Sequence, residues 1–466
     1  MSAIIFILYI IFIGITGAFG WAMRGTIIGG EKGGILPGAL LGLCIASLNL
    51  NVYGDIFPFI ACAGAFGMFH GGSCTYGETL NFVLRSNGDD ETYKGKFRKG
   101  MTGVAINGGN WFSLAAYFMS ITLQSTCGIT QKYGRTEILI MLILVPIIQI
   151  IGELIFNHPY SKEKKIYPKI YFSVTRREEW GSNLLLIFVA MVYSLIKGDF
   201  FSLLALIFGY ISGASGFMLG LYLYYKNVKD EFFGSLQRKG YIGNWKMMEM
   251  TIGFVGFIGV SLYFHFAEIL LNLTDYKTDF TPSENFVLYD FSSVILLVAY
   301  ILLLVFTAVY GKVTKKEFSD HISDILMRPL FSVLPLLFVI LSGSEKTAYI
   351  SLMAITGFVM LEKCFNGYLK KLKAKYFILS LLILWVISSV IYAFKASDIS
   401  IFALSMMLIL PYQITALIEN FNLTELKTAV KNEGIIKHFK SSFTTEVVMT
   451  VYTVISFIGF YFITKQ

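Results

Sequence analysis

The sequence predicts an all-α polytopic integral membrane protein of about fourteen transmembrane helices, with twelve to fourteen as the range. Three observations carry that prediction. The 466 residues are 55% hydrophobic and 16% aromatic but only 15% charged, with a mean hydropathy of +0.66, whereas soluble domains carry about 25% charged residues. Apolar runs of about 20 residues, the length that crosses a bilayer, recur from end to end. The net charge is +8, and its cations gather in alternate connections between those runs, as the positive-inside rule requires.

The first run covers residues 3–22. Its apolar start has the look of a signal peptide, but it lacks a basic leading region and no convincing cleavage site follows, so it reads as the first span. Further spans are expected at 34–50, 55–73, 104–124, 136–157, 181–196, 200–224, 245–267, 287–310, 330–343, 346–363, 376–394, 399–418 and 444–463. The short 330–343 run also reads as a re-entrant hairpin with 346–363. Residues 419–441 are polar and mixed in charge, and fit either an amphipathic interfacial helix or a cytoplasmic loop.

With these boundaries about 31 of the 38 Lys and Arg residues fall on one side of the membrane. That side is expected to be cytoplasmic, with both termini extracytoplasmic and the chain multi-pass in the plasma (inner) membrane. The acidic-leaning segment 272–285 falls on the other side. Its Asn272-Leu273-Thr274 matches a glycosylation acceptor and reads equally as a chance tripeptide. No continuous basic stripe interleaved with aromatics is present, so nucleic acid is not an expected partner. Cys44, Cys62, Cys74, Cys127 and Cys364 show no CxxC spacing, and His is scarce at five, so neither a disulfide framework nor a metal site is indicated. Nucleotide-loop, zinc-helix and nucleophile-elbow motifs are also missing, and no cofactor is expected.

Glycine divides the chain. Residues 1–274 hold 37 of the 43 glycines and are expected to form a tightly packed bundle carrying the site. Residues 275–466 are rich in Leu, Ile and Phe, which suits a scaffold, an oligomer interface or a lipid-facing shell; a homo-oligomer stays open. A parallel internal repeat is also open. Phe66-Gly67-Met68-Phe69-His70-Gly71-Gly72-Ser73 matches Phe208-Gly209-Tyr210-Ile211-Ser212-Gly213-Ala214-Ser215 at four positions, and each is followed by Gly-Asn-Trp at the start of a span, at 109–111 and 243–245. Similar glycine-rich composition would give the same likeness without duplication.

The densest glycine run, ten in residues 14–42, surrounds Arg24, Glu31 and Lys32. It predicts a broken or re-entrant segment near 22–36, which a bilayer tolerates only where protein or a wet cavity shields it. Exposed amides and Arg24 there suit an anionic group, with Glu31 pairing a cation or relaying a proton. The competing reading is an ordinary cytoplasmic turn with its cations near lipid phosphates. A second polar cluster runs from His70 through Ser73, Tyr76 and Glu78 to Asn81, and it too reads either as a site or as a helix running out into the interface. Asn110, Trp111, Asn244 and Trp245 join the candidate substrate-binding residues through their tripeptides, and Glu249 joins Glu31 and Glu78 as a candidate ion-coupling carboxylate. Glu153, Glu268, Asp290 and Glu362 read as interfacial or structural.

Residues 71–77 spell Gly-Gly-Ser-Cys-Thr-Tyr-Gly, a pattern that resembles the glycine-rich, cysteine-bearing motif of the membrane family for thiosulfate-type sulfur uptake. The likeness is confined to those seven residues, and the second copy has Gly216 where that motif has cysteine.

Three functions fit these residues. The first is a secondary transporter for a small polar, anionic solute, coupled to a proton or sodium gradient. The second is a membrane-embedded transferase or lipid-processing enzyme with Glu31, His70 and Glu78 converging at the cytoplasmic face. The third is a non-catalytic component of a larger complex. A transporter requires Glu249 and Asn110 to line one cavity with Arg24.

Overall fold

The computed structural model describes residues 3–27, 29–48, 56–72, 76–126, 133–156, 159, 161, 164–174, 179–230, 243–272, 336, 345–366, 375–396, 399–420 and 435–463. The spans expected at 287–310 and, apart from Leu336, at 330–343 lie outside these residues, as do Ser73 and most of 272–285 and 419–441. The described residues are almost wholly helical, with one isolated bridge between Ser161 and Ile166.

The longer helices are α1 (Ala3–Ile27), α2 (Ile35–Leu48), α3 (Phe57–Gly71), α4 (Phe97–Thr126), α5 (Arg135–Phe156), α6 (Trp180–Ile196), α7 (Phe200–Asp230), α8 (Asn244–Asn272), α9 (Glu345–Asn366), α10 (Lys375–Lys395), α11 (Ile401–Asn420) and α12 (Ile435–Ile463). Each coincides with one apolar run of the sequence. Three contain stretches long and apolar enough to cross a membrane, Ala3–Gly25, Phe200–Asp230 and Asn244–Ala267, and the other apolar helical stretches are shorter.

Six helices close into a ring in the order α1, α2, α3, α4, α7, α8, each packed on the next and α8 back on α1. Glycine sets the spacing. Gly17 of α1 meets Gly253 of α8, Gly38 of α2 meets Gly64 of α3, and Gly108 of α4 meets Gly213 of α7. A Cβ at any of these positions would run into the carbonyl oxygen of the facing glycine. Backbones approach this closely only where side chains are missing, and dispersion contacts along the seam then hold the pair. Much of the glycine in the first 274 residues therefore serves packing. Aromatic rings pack within this bundle: Trp21 stacks on Phe112 and meets the edges of Trp111 and Phe217.

The remaining helices flank the ring. The α5–α6 pair packs along α4 and α7 through α6. On the other side α9, α11 and α12 pack on α1, α2 and α3, with Cys62 Sγ bonded to the Ala348 carbonyl and Thr16 to Ser456.

The two Gly-Asn-Trp tripeptides occupy different positions in their helices. Helix α4 starts at Phe97, earlier than expected, because its first turns pack against the single helical turn Asn81–Leu84. Gly109 is therefore in mid-helix, while Gly243 precedes α8. The first Phe-Gly motif ends α3, and the second lies inside an α7 that continues to Asp230.

Candidate functional site

The glycine-rich run forms a tight reversal between two packed helices. Gly29 and Gly30 both take positive φ, 47° and 61°, a conformation that costs glycine least. The Gly29 amide closes the end of α1 on the Arg24 carbonyl at 2.9 Å. A short 3-10 turn, Lys32–Gly34, then leads into α2. The break expected near 22–36 is thus confined to the residues after Ile27.

The reversal folds Arg24 inward. Its side chain is 2% exposed, and its guanidinium carbon lies 4.5 Å from the Trp111 ring centre, 5.2 Å from Tyr76 and 5.3 Å from Trp21. One terminal nitrogen donates to the Tyr76 hydroxyl at 3.1 Å and the other to the Gly30 carbonyl at 3.2 Å. Faces of tryptophan and tyrosine attract a guanidinium by about 2 kcal/mol or more when water is excluded, and Gly33 is bare where the Arg24 stem passes.

Glu249 sits on the facing side, fully buried on α8. Its carboxylate accepts from Trp245 Nε1 at 2.9 Å and pairs with Lys246 Nζ at 2.6 Å. Lys246 also donates to the Ala22 carbonyl at 2.8 Å, so the pair ties the start of α8 to the end of α1. The Glu249 carboxylate lies against Gly25, the residue after Arg24. A buried ion pair of this kind contributes little net stability, because desolvation offsets attraction.

Five residues marked in the sequence, Arg24, Tyr76, Trp111, Trp245 and Glu249, thus come together from α1, α4, α8 and the Tyr76–Thr79 turn. Glu31 and Lys32 are half-buried beside them on the reversal. Trp21 and Lys246 were not singled out, although each lies three residues before a marked charge on the same helical face.

The other candidates take different neighbours. His70 Nδ1 meets Gln149 Oε1 at 3.3 Å, and Gln149 donates to Asn183 Oδ1 at 2.7 Å, which links α3 to α5 and α6. Asn110 donates to the Trp180 carbonyl at 3.1 Å, pointing to α6 and away from Arg24. Glu78 accepts from Ser173, Asn244 bonds Asn227, and Asn81 is half-buried on the turn before α4. Among the described residues no group of three or more His, Cys, Asp or Glu side chains is placed to hold a metal.

One polar cluster had no counterpart in the sequence reading. Asp199, buried just before α7, accepts from Gln124 at 2.7 Å, from Tyr133 at 2.5 Å and from the Ser202 amide at 3.0 Å. It caps α7 and ties it to α4 at the end opposite Arg24. Asp199 is a capping residue by spacing.

Comparison with protein-family models, curated proteins and solved structures returns no match. The likeness to the sulfur-uptake family therefore stands on residues 71–77 alone.

Proposed function

We propose that the chain is a secondary transporter for a small polar, anionic solute, coupled to a proton or sodium gradient. We take it to have about fourteen spans in the plasma membrane, with both termini extracytoplasmic. The observation that carries the reading is the burial of Arg24 and the Lys246–Glu249 pair at one end of a closed six-helix ring. Charged groups so placed are expensive to insert, and Arg24 offers a planar set of donors suited to a carboxylate or oxyanion. Glu249, on a helix that meets α1 through a bare glycine seam, is the carboxylate through which an ion gradient would act, with Glu31 and Glu78 as further candidates.

The transferase reading called for His70, Glu31 and Glu78 to converge. His70 engages α5 and Glu78 engages Ser173, so that convergence is not met; Asn110, required beside Arg24 by the transporter reading, turns to α6 instead, and the transporter reading rests on Arg24 and Glu249. Uptake of labelled anions into proteoliposomes under an imposed proton or sodium gradient tests the proposal. Saturable uptake should collapse in Arg24→Ala and lose its gradient dependence in Glu249→Gln. Uptake unaffected by Arg24→Ala would refute the site.

A further inference from the structure

We propose that the cleft between α5 and α6 holds one acyl chain of a zwitterionic, amine-bearing phospholipid, with its headgroup on the Glu137–Lys197 pair. The cleft is separate from the Arg24 site, and the proposal does not depend on transport.

The cavity has a volume of about 420 Å³ and is backed by Tyr117 and Phe118 of α4. Its walls are two stripes at helical spacing, Ile140, Leu144 and Ile148 on α5 and Leu186 and Val189 on α6. From Glu137 to Ile148 the wall rises roughly 16 Å at 1.5 Å per residue, a length that suits a hydrocarbon chain. Ile140 and Leu144 are 41% and 40% exposed, so the cleft opens sideways, where a membrane helix meets lipid. Beyond Ile148 the Gln149–Asn183–His70 bonds close its far end.

The near end is polar. Glu137 is the one charged residue lining the cleft among the described residues. It accepts from the Tyr193 hydroxyl and pairs with Lys197 Nζ at 2.6 Å, with about a quarter of its side chain exposed. The Tyr117 hydroxyl lies on the back wall of the cleft at this end, with the Ser194 hydroxyl buried beside it. A purely anionic headgroup on Lys197 would face the Glu137 carboxylate. A headgroup with both a phosphate and a primary ammonium complements both members of the pair at once, which decides the lipid class.

The test reconstitutes the delipidated chain in nanodiscs of equal phosphatidylethanolamine, phosphatidylcholine and phosphatidylglycerol, then counts lipids retained after detergent extraction by native mass spectrometry. The wild type should retain one phosphatidylethanolamine per chain. Leu144→Trp and Ala190→Leu, which fill the cleft from opposite walls, should each lower retention about tenfold, the loss expected for one well-buried contact set. Phe188→Trp, 62% exposed on the outer face of α6, should retain it, and Lys197→Gln should abolish the headgroup preference. Equal retention of all three lipids, or unchanged retention in the folded member of the two filling variants, would overturn the proposal. So would disulfide cross-linking between copies through Ile140→Cys, since a second copy would then cover the cleft.

Discussion

Gly25 of α1 and Glu249 of α8 share one space: a Cβ on Gly25 would overlap the Glu249 carboxylate. The charged residue that joins the two helices is thus seated against bare backbone one residue after Arg24. Gly25→Ala should push Glu249 off Lys246 and lower stability by about 1–3 kcal/mol, the range for overpacking. A fall in the melting temperature of the purified protein reads this. Gly77→Ala, at an exposed position with nothing near its Cβ, should leave it unchanged.

The seams of the ring make a second prediction. Gly64→Ala and Gly253→Ala each place a methyl against a facing carbonyl oxygen and should cost about 1–3 kcal/mol apiece. The sites lie on different helix pairs, so the double variant should be additive within about 0.5 kcal/mol. A double variant no less stable than either single one would mean that the seams yield as one unit.

Arg24 is held by ring faces as well as by hydrogen bonds, so its charge alone does not replace it. Arg24→Lys keeps the charge and loses the planar fork. It should lower thermal stability by about 2 kcal/mol and abolish uptake as fully as Arg24→Ala does.

Asp199 caps α7 and joins it to Gln124 and Tyr133 of neighbouring segments. Asp199→Ala leaves several buried donors without their acceptor and should cost about 3 kcal/mol or more. Asp199→Asn, which keeps one acceptor oxygen, should cost less. The two melting temperatures measured side by side decide this.

The connection before α4 carries a pH dependence. Hydrogen bonds from Thr92, and then the Arg85 charge, hold the Asp90 carboxyl below its usual value of 3.8. The ionised form is therefore favoured in the folded loop, so its contribution is complete above the unfolded value and is lost as pH falls through the lower folded one. Amide protection in residues 85–96 should hold constant from neutral pH to about pH 5 and drop below about pH 4. Asp90→Asn should remove that step.

Much of this arrangement is legible in the chain. Each of the twelve longer helices matches an apolar run, because burial in hydrocarbon and burial against neighbouring helices select the same side chains. Arg24 and Glu249 stand out because charge inside such runs is rare. The glycines are harder to read, since a glycine that breaks a helix and one that lets two helices touch look alike until the facing helix is known. Gly29 and Gly30 turn the chain, whereas Gly17 and Gly38 pack it. Asn110 and Trp111 show the other limit. One residue along a helix is about 100° of rotation, so Trp111 reaches Arg24 while Asn110 meets α6. Asp199 was hidden for a similar reason, as its partners come from sites up to 75 residues away in sequence.

Three of the five tryptophans are placed to report an anion bound beside Arg24. Trp21 and Trp111 face the guanidinium and Trp245 bonds Glu249. Titrating the protein in nanodiscs with a panel of small carboxylates and inorganic oxyanions, while following tryptophan emission, measures that binding directly. An anion that supports uptake should give a saturable emission change, and that change should be lost in Arg24→Ala. A transported anion that leaves the emission unaltered, or alters it equally in Arg24→Ala, would contradict binding at that site.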